Sequence, residues 1–270
     1  MKKVCEMIIK VTLFFLLWLV GASIIPAPEF ENPAIWRLFA ELIPLLVICF
    51  DTFLFWSVEK RQINLCLNSQ VKKGILTGSV VGMAWLAIPS VMMYLLKVIC
   101  FEGTNSISYL GIWFVSAFIN VMMQELLIRG YLYQMLKQKG NVIVATIVTT
   151  AIFTLLHGGA FEAGVIPVLN VLTMSLFMTV LFEYTKSLWT PIMAHFIWNA
   201  VGALILNGVS LADDYPHVLC TVFVGNDILS GGACKIEGSI VVLFVNVVFI
   251  ALLMVLKKHK ANESEELLGR

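Results

Sequence analysis

Apolar residues come in blocks of about twenty along this chain, divided by short polar connections. They show neither the alternation of a half-buried strand nor the single stripe of a surface helix. A bilayer core about 30 Å thick is crossed by roughly 20 apolar residues in a helix. Blocks of that length fall at about 8–26, 35–57, 75–100, 109–128, 142–158, 165–184, 188–206 and 239–256. The pattern predicts an all-α fold, a polytopic bundle of eight transmembrane helices forming one domain over residues 1–260. The second block holds Arg37, Glu41, Pro44 and Asp51 and predicts a tilted or partly interfacial helix. The polar tail 261–270 is expected to be disordered.

Composition agrees. Of 270 residues, 60% are hydrophobic and 13% charged, about half the charged share of a soluble domain. A net charge of +1 provides no basic field for nucleic acid. Met1-Lys2-Lys3 and the run behind it imitate a secretory signal, but later blocks repeat the pattern, so the run reads as a first membrane helix.

Basic residues set the orientation. Lys2, Lys3, Lys60, Arg61, Lys72, Lys73, Lys137, Lys139, Lys186, Lys257, Lys258 and Lys260 fall at the N-terminus, in alternate connections and in the tail. Arg37, Lys97 and Lys235 are the few on the other side. Both termini are therefore predicted to be cytoplasmic, in a multi-pass protein of a plasma membrane, bacterial by expectation. The cysteines stand singly, without the CxxC spacing of thiolate zinc sites. Cys220 and Cys234 share the predicted outer loop, where they can either form a disulfide or remain two small unpaired residues.

Polar groups inside membrane helices are costly, about 2.5–3.5 kcal/mol for a central charge on insertion scales, and usually face the bundle interior. Block four ends Gln124-Glu125-Leu126-Leu127-Ile128-Arg129-Gly130. Glu125 and Arg129 are one turn apart on one face and can pair. Gln124 points about 100° away. The plain alternative is a structural ion pair at the cytoplasmic edge, with Arg129 snorkelling outward. Block five ends at His157 beside two glycines, which alone suits an interfacial or capping residue. Block seven carries His195 and Asn199, again one turn apart, which alone suits a contact between helices.

Together, three helices present Gln/Glu, Arg, two His and Asn. Two imidazoles and a carboxylate can bind a metal or polarise a water, and an Asn amide can donate to a developing oxyanion. No HExxH and no GxSxG occurs, so zincin and serine-hydrolase readings fall away.

These stretches resemble the CPBP family of intramembrane endopeptidases, also called Abi or CAAX-protease-like, marked by EExxxRG, FxxxH and HxxxN on successive helices. The matching residues are Gln124 to Gly130, Phe153 to His157, and His195 to Asn199. Tyr131-Leu132, and Gly231-Gly232 followed by Glu237-Gly238-Ser239, are also similar to stretches of family members. The likeness covers about 109–240. It implies that Gln124 and His157 are the water-activating pair, that His195 and Asn199 hold the oxyanion, and that Glu125 and Arg129 support them. It implies either a divalent metal such as zinc, held by His157, His195 and Glu125, or no metal under a glutamic mechanism. It also implies a site open to the cytosol.

Position 124 departs from the pattern, with Gln where the family has Glu. A carboxamide cannot take up a proton near neutral pH. Two functions follow. One is an endopeptidase that cuts a membrane-associated or prenylated protein or peptide, with Glu125 as substitute base. The other is a catalytically impaired pseudoprotease acting as a membrane scaffold or regulator. A transporter is the weakest reading, because no matched pair of broken helices occurs in two halves. Membrane lipid and a protein or peptide substrate are the expected partners. One tension remains. His157 lies about 22 Å from the start of its block and His195 about 10 Å from the start of its own, so the two helices cannot begin at one level.

Overall fold

The computed structural model describes residues 2–268, with side chains at 261 and 263–268 excepted. Six helices are long and apolar enough to cross a membrane, and two shorter apolar ones accompany them. The elements are α1 (Lys2–Ile24), α2 (Pro33–Val58), α3 (Val71–Leu95), β1 (Ile99–Thr104), α4 (Leu110–Lys139), α5 (Val142–Leu156), α6 (Gly158–Ala163), α7 (Val165–Thr185) and α8 (Trp189–Ile205). After these come β2 (Leu219–Phe223), α9 (Asp227–Ser230), a 3₁₀ segment (Gly232–Gly238) and α10 (Ile240–Leu268). Each predicted block has its helix.

Local chemistry sets several boundaries. Asn32 caps α2, its side chain accepting the Ala34 and Ile35 N–H groups at 3.0 and 3.2 Å, with Pro33 in the first helical position. Asn141 caps α5 through the Val144 N–H at 2.9 Å. The third block was expected to stay helical to residue 100, but α3 stops at Leu95. Lys97 then takes a left-handed conformation (φ 58°), and β1 pairs antiparallel with β2 outside the bundle. The fourth block was expected to end near 128. Its helix runs on to Lys139, about 45 Å at 1.5 Å per residue, and so projects well beyond a hydrocarbon core. The tail does not separate as a coil: α10 continues to Leu268, and Gly269 and Arg270 lie outside the described residues.

A ladder of glycines packs α3 on α8. A Cβ on Gly78 would sit 2.4 Å from the Thr190 carbonyl oxygen, and one on Gly82 would sit 2.7 Å from the Ala194 Cα. Only hydrogen fits there, so the two backbones approach closely, as small residues allow in membranes. Above this contact Trp85 stacks on Trp198 with centroids 4.0 Å apart, and its indole N–H donates to Asn246 at 2.7 Å. Asn246 also donates to Thr173 at 2.9 Å, which ties α10 to α7.

The two ends of the bundle differ in charge. At one end Lys139 and Lys10 converge on Glu6 and Glu59, and Lys137 and Lys186 converge on Glu183. At the other, Arg37 pairs with Glu41 and Asp214. The six cysteines are free thiols, Cys220 and Cys234 among them.

Candidate active site

Glu125, Arg129 and His195 form a buried triad. Arg129 and Glu125 are 0% exposed and His195 is 1%. The Nη1 group of Arg129 donates to both Glu125 oxygens, at 3.0 and 2.9 Å. Its Nη2 donates to the Ser175 carbonyl at 2.7 Å, its Nε reaches Thr179 Oγ1 at 3.3 Å, and its guanidinium lies over the Phe153 ring. Nδ1 of His195 meets Glu125 Oε1 at 2.8 Å. A carboxylate only accepts, so this nitrogen carries the proton and Nε2 is the one left to act. Two buried charges are tolerable here because each is paired and hydrogen-bonded. Arg129 therefore does not snorkel to an interface. It is locked inside.

The helix geometry at this point is unusual. α4 widens into a π-turn at Leu126–Gly130, directly after Gln124-Glu125, and α8 does the same at Val201–Ile205, two residues after Asn199. Such turns recur at functional sites, where they re-aim side chains without ending the helix.

Beside the triad lies a cavity of about 300 Å³, lined by Gln124, His157, His195, Asn199 and residues from four other parts of the chain. The predicted residues divide into two groups. Gln124, His157, His195 and Asn199 face the cavity, whereas Glu125 and Arg129 stand behind it. Nδ1 of His157 lies 2.7 Å from the Phe153 carbonyl. It must donate there, which leaves Nε2 as a lone-pair acceptor. Asn199 is 6% exposed, and its amide makes no hydrogen bond among the described residues. The two histidines come together despite their different distances from the starts of their helices: the Phe153 ring centroid lies 4.4 Å from that of His157 and 6.1 Å from that of His195, and one cavity reaches both.

Gln124 is held by a chain of bonds with a definite polarity. Arg37 donates to Glu41, Asn120 Nδ2 donates to Glu41 Oε2 at 2.8 Å, and Gln124 Nε2 donates to Asn120 Oδ1 at 2.6 Å. Because Glu41 can only accept, Asn120 must turn its oxygen toward position 124, which then has to donate. An amide satisfies that demand and a carboxylate does not. The Gln124 oxygen is left buried and without a partner.

The substitute-base role expected of Glu125 is not supported. Its oxygens are taken by Arg129 and His195, and it does not line the cavity. The proposed metal set meets the same obstacle. A cation on Glu125 would sit against the guanidinium, and among the described residues no three His, Cys, Asp or Glu groups gather as ligands. A ligand set that includes Glu125 therefore does not fit a metal.

Sequence reasoning missed Glu41, Asn120, Tyr215 and Glu237 as cavity residues. Glu41 had a signal, a charge inside an apolar block. Tyr215 and Glu237 come from the connection 206–239, whose placement no periodicity reports. Burial, and then the Glu41 carboxylate, push the Tyr215 hydroxyl above its usual range, so it remains neutral. The cavity also lies toward the Arg37–Asp214 end, opposite the lysine-rich end.

The fold is an all-α membrane bundle with a buried Glu–His–Arg triad beside a polar cavity. Residues 106–201 match the family model described as type II CAAX prenyl endopeptidase Rce1-like. That stretch holds the three motifs, so the resemblance to the CPBP, CAAX-protease-like family stands. At family level it supports an intramembrane endopeptidase of CAAX type. Comparison with curated proteins and with solved structures gives no match.

Proposed function

We propose that this chain is an intramembrane endopeptidase that hydrolyses a peptide bond in a membrane-associated or lipidated protein or peptide. The observation that carries the reading is the single cavity lined by His157, His195 and Asn199. His157 offers a free Nε2 lone pair that can hold the attacking water. The Asn199 amide, unpartnered in the resting site, can donate to the oxyanion. Glu125 acts through His195: it fixes the ring and supports positive charge on it, so that Nε2–H can donate to the same oxyanion. Arg129 keeps Glu125 ionised and in place. An apolar slot between α1, α4 and α5, lined by Trp18, Leu127, Phe153 and Leu156, reaches Gln124 and His157, which suits an apolar substrate segment arriving within the bilayer. With lysine-rich connections in the cytoplasm, the cavity faces the opposite side of the membrane.

The test is cleavage of quenched fluorescent peptides, with and without a farnesyl-cysteine, by the protein in lipid nanodiscs. Asn199→Ala should lower kcat by about 10²–10³, the usual loss for an oxyanion donor. A wild type that releases no new N-terminus from any peptide rejects the reading.

Gln124 favours a second reading, a pseudoprotease that binds and regulates a partner. It expects His157→Ala and His195→Ala to leave the cellular phenotype intact at normal expression.

A further inference from the structure

Two titratable side chains line both the inner cavity and the outer cleft of about 440 Å³ that adjoins it between α6 and the connection after α8: His157 and Glu237. Val171, Ser210 and Leu211 complete the wall that the cleft and the cavity share. Of the carboxyls that line the cavity, Glu41 is paired with Arg37, whereas Glu237 has no cation within ion-pair distance among the described residues.

Its backbone is held by a built scaffold. Asn170 Nδ2 donates to the carbonyls of both Glu237 and Ser239, at 2.8 and 2.9 Å. The segment folds back so tightly that a Cβ on Gly231 would sit 1.6 Å from the Lys235 carbonyl oxygen, and one on Gly238 would sit 2.5 Å from the Gly231 oxygen. Lys235 takes φ 55° and ψ −146°, a strained conformation for a residue with a side chain. The carboxyl is aimed as well, because Oε2 accepts the Ser210 N–H at 2.8 Å. Such effort around one loop glutamate is unexplained by packing alone.

We propose that Glu237 is the water-activating carboxylate of this site and supplies, from the opposite wall, the acid–base function that Gln124 lacks. The inference rests on the endopeptidase reading. Ionised Glu237 takes a proton from a water held by His157 Nε2 as the water oxygen bonds to the scissile carbonyl carbon. The carbonyl π electrons move to the oxygen, which Asn199 receives. When that oxyanion collapses, the C–N bond breaks, and Glu237 returns its proton to the leaving amine. The products are a carboxylic acid and an amine, and no other reactant is consumed. Glu41 is a poorer candidate because Asn120 and Arg37 already occupy its two oxygens.

Glu237→Gln tests this in nanodiscs with the farnesyl-cysteine peptide. The carboxamide oxygen can still accept the Ser210 N–H, so the thermal midpoint should stay near that of wild type. The expected result is a fall in kcat of about 10²–10⁴, the range for general base catalysis, with KM little changed. Wild-type activity with a fully active Glu237→Gln variant overturns the assignment while the endopeptidase reading stands. An unaltered kcat in Glu237→Gln beside a lost one in Glu41→Gln moves the base to α2 and overturns it too. A wild type inactive on every peptide removes both readings together.

Discussion

Arg129 is the residue on which the buried charges depend. Without it, Glu125 keeps a single partner, His195, in a dry interior. Breaking a buried pair by removing one member costs roughly 3–5 kcal/mol. Arg129→Met should therefore lower the thermal midpoint sharply, or abolish folded protein in detergent, as size-exclusion chromatography and melting will report. Gln124 gives the opposite lesson. The donor chain from Arg37 through Glu41 and Asn120 is satisfied by an amide at 124. Gln124→Glu places a second carboxylate at the end of that chain and should lose about 1–3 kcal/mol, the cost of an unmet buried hydrogen bond. Adding Glu41→Gln reverses the polarity and should recover the midpoint. Residue by residue, the motif members were legible as polar groups in apolar blocks. Their roles were not, because spacing along α4 cannot tell which of two adjacent side chains faces the cavity and which faces Arg129.

At the scale of elements, the contact between α3 and α8 positions the site. His195 follows Ala194, whose backbone lies against Gly82. A methyl group at Gly82 must push α8 away, since the atoms it meets are backbone. Gly82→Ala should cost about 1–3 kcal/mol, the usual range for overpacking. It should also reduce peptide cleavage by up to about 10²-fold through displacement of His195. A melting curve and a kcat measurement on the same preparation check both. Gly74, Gly78 and Gly82 stand at four-residue spacing, so this contact had a signal in the sequence. The two π-turns had none. They arise where buried polar groups must be aimed, and nothing in local propensity marks that need.

For the whole molecule, the lysine-rich end ties α1, α2 and α4 together through Glu59. Burial opposes its ionisation, but Lys10 and Lys139 outweigh burial and hold Glu59 below the usual glutamate range. A carboxylate whose pKa is lowered by folding contributes stability above the unfolded value, about 4.3, and loses it as pH falls through the folded value. The wild-type midpoint should fall on acidification below about pH 4.5, and Glu59→Gln should flatten that part of the curve. Orientation has its own check. In single-cysteine variants of intact cells, an impermeant maleimide should label Cys100, at the cavity end, and leave Cys66, at the lysine-rich end, unmodified until the membrane is opened. Burial pushes the Cys66 thiol up, so its labelling needs alkaline buffer.

By itself the sequence determined that this chain is an all-α membrane bundle, six long apolar helices with two shorter ones among the described residues, and which helices carry its costly polar groups. Both follow from an energetic requirement that is local: a bilayer demands a fixed apolar length, and it penalises each charge wherever it falls. Only the tertiary structure decided where those groups face. It set Glu125 and Arg129 behind the wall, brought Glu41 and Glu237 to the cavity from distant segments, and turned the opening away from the lysines. Those outcomes depend on which donor meets which acceptor across helices, and no spacing within one helix contains that information.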